Sequence, residues 1–109
     1  MNIAELEPRA DEAAELLAAM SNPKRLLILC HLLEAELSVN ELSERVGLAQ
    51  SPLSQHLSKL RALRLVATRR DGQMILYRLA SDSVGKVLTT LHGIYCAPTA
   101  GGRGKGKTK

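Results

Sequence analysis

A mainly α-helical domain with a single small β-hairpin is the fold class this sequence predicts, on three observations. Residues 48–66, LAQSPLSQHLSKLRALRLV, place Leu53, Leu57 and Leu60 at i, i+4 and i+7. That spacing puts one apolar stripe beneath a surface of amides, hydroxyls and cations. Just before it, Ser38-Val39-Asn40-Glu41 has the form of a capping box opening a short helix that stops at Gly47. Just after it, Asp71-Gly72 separates two strand-like runs and marks a hairpin. Two short helices joined by a tight turn and followed by a hairpin make a winged helix-turn-helix.

The elements follow in order. Residues 9–20 (RADEAAELLAAM) are rich in Ala, Leu and Glu and predict a first helix. Asn22-Pro23 pairs an N-cap residue with a proline suited to the first helical position, so a second helix runs to about Glu36. Its LLILCHLL run is apolar nearly all round, which marks it as the most buried helix. The third spans Val39 to Val46, with Leu37 and Leu42 as a hydrophobic staple. Ser51-Pro52 starts the fourth by the same cap-then-proline device. It reaches Leu63, about 18 Å at about 1.5 Å per residue. Strands over 66–70 and 74–79 form the wing, with Arg69, Arg70 and Gln73 at its tip. Ser81 or Asp82 caps a last helix striped by Val84, Val87, Leu88, Leu91 and Ile94. Residues 1–97 therefore form one domain, and 98–109, Gly-, Lys- and Arg-rich, a disordered basic tail.

The 109 residues include no Trp or Phe and 2 Tyr, so the core is aliphatic. A domain this small gains from burying surface in a dimer. Few aromatics also argue against RNA or single-strand binding, where bases stack on exposed rings. The formal net charge of +4 equals the four cations of the tail, Arg103, Lys105, Lys107 and Lys109, so the body is neutral overall. Its signs are nonetheless segregated. The start is acidic, whereas Lys59, Arg61, Arg64, Arg69 and Arg70 fall in a stretch from Val46 to Arg70 that holds no acid. Such a stripe suits the phosphates of duplex DNA. No segment approaches the ~18 apolar residues of a membrane span, and the acidic start is unlike a signal peptide. A cytoplasmic protein with reduced thiols is expected. No HExxH, P-loop or GxSxG motif suggests an enzyme, and no cofactor is expected.

On the fourth helix, Gln50, Ser51, Ser54, Gln55, His56 and Lys59 are the candidate DNA-facing residues, with Gln50 and Gln55 the base readers because an amide pairs bidentately with adenine. Plainer roles stand beside these: Ser51 as a cap, Ser54 bonded within the first turn, His56 packed between helices.

The segment from Ser38 to Leu79, with its S-x-L-S-x-H-L-x-x-L core at Ser51–Leu60, resembles the ArsR family of winged-helix repressors. The resemblance covers roughly residues 9–96 and implies a homodimer joined through the first and last helices. It also implies binding to double-stranded operator DNA, with release when an effector acts. Wing contacts from Arg69, Arg70 and Gln73, and a phosphate contact from Lys59, are carried over from it.

A common metal site in that family places thiolates where this chain has Ser38 and Asn40, and another uses paired Asp and His on the last helix, where this chain offers Asp82 and His92. Without thiolates a soft-metal site is not expected. Cys30 and Cys96, one in the second helix and one ending the last, resemble instead the persulfide-responsive branch of the family, the SqrR/BigR-like and HlyU-like repressors. There such a pair is bridged within one subunit by a disulfide or a longer sulfur chain. A direct disulfide needs Cα atoms within about 4.4–6.8 Å, a limit that a polysulfide relaxes and that would favour persulfide over peroxide. The alternatives are a repressor whose cysteines only pack, and a peroxide- or metal-responsive member.

Overall fold

The computed structural model describes residues 1–96, so the tail expected over 98–109 lies outside the described residues. The chain begins with α1 (Ile3–Leu6), a 3₁₀ turn (Glu7–Arg9) and α2 (Ala10–Met20). Asn2 caps α1 by accepting from the Ala4 N–H, and Pro8 starts the 3₁₀ turn. The helix expected from Arg9 thus carries an extra turn in front of it. Only Ala19 and Met20 of α2 are buried.

The next helix, α3 (Pro23–Glu34), starts as its sequence demands. The Asn22 side chain accepts from the N–H groups of Lys24 (2.9 Å) and Arg25 (3.1 Å), and Pro23 occupies the first turn. It turns 95° from the preceding helical stretch, and no single helix among the described residues is long and apolar enough to cross a membrane. As expected, α3 is the most covered of the helices, but not all round as its apolar run suggested. Ile28, Leu29 and Leu32 are buried, but Leu27 and Leu33 are 46% and 44% exposed, and Cys30 is exposed as well. The protomer covers one face of α3 and leaves the other uncovered, whatever its apolar composition.

Leu37–Ser38 form a two-residue strand, β1, that the sequence did not signal. Ser38 then caps α4 (Val39–Val46) in a complete capping box: its Oγ accepts from the Glu41 N–H (3.2 Å), and the Glu41 carboxylate accepts from the Ser38 N–H (2.9 Å). Leu37 and Leu42, the staple, are both buried. Gly47 ends α4 at φ 70°, the left-handed conformation a residue without Cβ adopts freely.

The recognition-like helix α5 (Gln50–Ala62) starts two residues earlier than expected, with Ala49 as an N-cap that makes no side-chain hydrogen bond. Ser51 is therefore not the cap. Pro52 falls at the third helical position, where a missing N–H still costs nothing. Leu53, Leu57 and Leu60 are all fully buried. The helix ends in a Schellman motif: Leu65 N–H donates to Leu60 O (3.0 Å) and Arg64 N–H to Arg61 O (2.9 Å). Arg64, not glycine, holds the left-handed position at φ 63°.

The hairpin pairs β2 (Val66–Asp71) with β3 (Met74–Leu79), and β1 adds to the far side of β3 in the order β1-β3-β2. Because Asp71 faces Met74, the two-residue loop is Gly72-Gln73 rather than Asp71-Gly72. Gly72 has φ 65° at its first position, as a type II′ turn requires. Ser81 caps α6 (Asp82–Tyr95) through Val84 N–H (3.2 Å). Val84 and Leu88 of its stripe are buried, whereas Ile94 is 62% exposed.

Arg64→Gly relieves a left-handed residue bearing a side chain, at some cost in unfolded-state entropy, for a net gain of roughly 0.5–1 kcal/mol. A thermal melt should show a rise of a few degrees; an unchanged or lower midpoint contradicts this.

Candidate nucleic-acid interface

With three leucines of α5 turned inward, helical periodicity carries Ser51, Ser54, Gln55, Ser58, Lys59 and Ala62 to the opposite side, where they line one shallow, open surface. Of the residues expected to face DNA, four thus share one face: Ser51, Ser54, Gln55 and Lys59. Ser58 and Ala62 complete it. Gln50 lies at the flank, toward α4, where its amide donates to the Asn40 side-chain oxygen. His56 lies at the other flank, half-buried. Partial burial, with the charges of Arg25 and Lys59, pushes its pKa down, which keeps the ring neutral at pH 7.

The turn between α4 and α5 is held from two sides. Ser43 Oγ donates to Leu48 O (2.5 Å), and the Lys24 ammonium from α3 donates to Val46 O (2.8 Å) at the negative end of α4. Nothing local in the sequence announces the Lys24 contact, which spans 22 positions.

The wing residues separate. Gln73 is in the loop and Arg70 is beside it, both exposed. Arg69 is further down β2, opposite Leu76, and its guanidinium grips Glu36, with Nη2 2.7 Å from Oε1 and Nε 2.9 Å from each carboxylate oxygen. The acid-free run from Val46 to Arg70 is therefore neutralised in part by an acid from outside it. The hydrogen bond to Arg69 holds the Glu36 carboxyl below the usual carboxylate range, assisted by the charges of Arg69 and Arg78.

Cys30 and Cys96 are free and exposed. Partial desolvation raises the Cys30 thiol pKa, and the charges of Cys96 and then Glu34 add to the rise. Cys30 sits on α3 and Cys96 at the end of α6, two helices that pack against each other. Among the described residues, no three His, Cys, Asp or Glu side chains converge as a metal site would need.

An inward-anchored helix with a polar outer face, a tight turn before it and a basic hairpin after it define a winged helix-turn-helix regulator of transcription. Residues 22–68 match the bacterial regulatory protein, arsR family. The nodulation protein NolR of Rhizobium meliloti is 58% identical over 79% of this chain and 70% of its own length. The transcriptional activator HlyU of Vibrio cholerae is 50% identical over 88% of this chain and 89% of its own. In structure, the transcriptional repressor BigR from Xylella fastidiosa superposes with a TM-score of 0.84 at 41% identity, covering 90% of this chain and 100% of that one. The chain belongs to the ArsR family of DNA-binding transcriptional regulators, and these relatives are regulators, not enzymes.

The depressed Glu36 pKa makes a signed prediction. Stability from the Glu36–Arg69 pair is fully present above the unfolded carboxyl pKa of about 4.3 and is lost as pH falls through the lower folded value. Urea midpoints of wild type and Glu36→Gln should differ at pH 6 and converge toward pH 3. A constant difference would mean the pair does not set it.

Proposed function

We propose that this protein is a homodimeric repressor that holds operator DNA with α5 and the wing, and lets go when Cys30 and Cys96 are bridged by reactive sulfur. Residues 1–97 form the working unit in this reading, with 98–109 as a basic tail. The dimer is supported by apolar side chains that one protomer leaves uncovered: Leu17 on α2 is 57% exposed, and Ile94 and Tyr95 on α6 are 62% and 80% exposed. On the DNA side, Gln55 reads a base edge while Lys59, Arg70 and Gln73 hold the backbone. Glu36 and Asn40 bear on Arg69 and Gln50 from outside the segment that touches DNA.

The observation that supports the switch is that two exposed thiols sit on two helices packed together, close enough for the charge of one to act on the other. A cysteine meant only for packing would be buried, and Cys30 is not. Partial desolvation, and then the charge of Cys96, push the Cys30 thiol up, which suits Cys30 to act second, as the resolving thiol. The first thiolate attacks the sulfane sulfur of a persulfide, R–S–SH, and expels R–S⁻. The second thiol attacks the protein persulfide and releases sulfide, leaving a disulfide. One further persulfide consumed per retained sulfur lengthens the bridge to a tri- or tetrasulfide. The oxidant in each step is the persulfide. The bridge ties α3 to α6, and α6 runs to the proposed dimer seam, so the spacing of the two reading helices changes. Half-sites about 34 Å apart tolerate little error. Emptying the operator takes roughly 5.5 kcal/mol of differential affinity between the two states, within reach of losing several base and phosphate contacts.

Lys59→Ala should weaken binding to all duplexes alike and lower the slope of log affinity against log salt by about 1, whereas Gln55→Ala should cost about 1–3 kcal/mol and relax specificity at one position. Cys30→Ser and Cys96→Ser should each bind duplex DNA like wild type yet stay bound after persulfide treatment. Mass spectrometry should find the Cys30–Cys96 cross-link in wild type after persulfide. Release of DNA by either variant, or by peroxide alone, overturns the persulfide switch and leaves the repressor without it.

A further inference from the structure

We propose that Glu36, although an acid, promotes DNA binding: through its fork with Arg69 it is a positioning residue that aims the wing tip, Arg70 and Gln73, at the duplex. The inference rests on the wing contacts proposed above. Strand register shows where the hairpin loses support. Ser38 of β1, Leu76 of β3 and Arg69 of β2 form one row across the sheet, and it is the last row with three strands. Beyond it only Arg70 and Asp71 remain paired, with Ile75 and Met74, and they carry the Gly72-Gln73 loop. Burial fades at the same place. Val66 is buried and Ala67 and Thr68 are half-buried, whereas Arg69, Arg70, Asp71, Met74 and Ile75 are exposed. A two-stranded ribbon with no packed face twists strongly and is marginally stable by itself.

Arg69 ties the base of that ribbon back to the body. From the outer strand its side chain reaches past β3 to Glu36, the residue before β1, at 2.7–2.9 Å. Glu36 is itself held in place, because Leu37 and Ser38 pair with Tyr77 and Leu76 and Ser38 opens the capping box of α4. A guanidinium only donates and a carboxylate only accepts, so the fork has one polarity and one orientation. An ion pair this exposed contributes modestly to stability. What it fixes is the direction in which the ribbon leaves the sheet, relative to α4 and α5. Charge alone predicts the opposite effect. Removing an acid from a protein that binds a polyanion tightens binding, and would free Arg69 to reach a phosphate. The sign of the Glu36 effect therefore separates positioning from masking.

The test uses the full chain and a duplex that wild type selects from a randomised synthetic library, with affinity measured over a range of salt concentrations. Glu36→Gln should weaken binding roughly tenfold and lower the slope of log affinity against log salt by about 1, as the Arg70 contact is lost. Arg70→Ala should do the same in wild type and add nothing in Glu36→Gln. A role in general stability would leave the two substitutions additive, so additivity overturns the inference. Arg69→Lys keeps the charge but not the fork, and should bind as weakly as Glu36→Gln; wild-type affinity in Arg69→Lys overturns the inference too. So does unchanged or tighter binding in Glu36→Gln, and a steeper salt slope with tighter binding would make Glu36 a mask over Arg69. If Arg70→Ala leaves the wild-type affinity and slope unchanged, the inference fails but the repressor reading stands. If wild type binds no duplex with a steep salt dependence, the repressor reading fails and the inference with it.

Discussion

The burial of Leu53, Leu57 and Leu60 is the constraint from which the rest follows. These side chains are 0–1% exposed and pin α5 by one face only. A helix of 13 residues with no N-terminal side-chain cap has little reason to persist in water alone. Its order is lent by packing, and so is the direction of every polar group on its far side. Each such leucine replaced by alanine would remove about 2–5 kcal/mol, a large share of a typical domain's net stability. The polar surface is thus specified indirectly: Ser51, Ser54, Gln55, Ser58 and Lys59 point outward because their neighbours cannot.

The helix that links the surroundings of α5 to the exposed Cys30 is α3. Near its start, Lys24 caps α4 and Arg25 donates to Ala19 O (2.7 Å) while lending its charge to the surroundings of His56. Its middle carries Ile28 and Leu29 into the core and Cys30 out of it. Two residues beyond its end, Glu36 grips Arg69 of the wing. A disturbance at Cys30 is therefore applied to a rod already bonded to the turn before α5 and, through the chain that leaves it, to the hairpin. Two separate contacts thus tie α3 to the turn before α5 and to the hairpin.

Much of this was legible in the sequence, for stateable reasons. The capping box at Ser38, the glycine stop at 47, the Asn22-Pro23 start, the Ser81 cap and the leucine stripe of α5 are local devices, and local devices survive in a linear string. What escaped was non-local. Strand β1 is two residues long, too short for any period, and exists because β3 lies beside it. The Ser51-Pro52 signal misplaced a helix start by two residues, since proline is tolerated throughout a first turn. Cys30 reads as core because composition records what a helix could bury, not which side finds a neighbour. Glu36, Asn40 and Lys24 became relevant to the site through partners 33, 10 and 22 positions away. A family motif does not distinguish them from ordinary surface residues.

Strand β2 is the outer edge of the sheet, with its remaining amides and carbonyls facing no further strand of the protomer. Such an edge is a template on which a second chain can lay its own strand. Arg69 and Arg70 stand toward its loop end, and two such edges brought together would crowd like charges, softened by Glu36 and Asp71. Charges placed on such a strand oppose edge-to-edge pairing whatever else they contact.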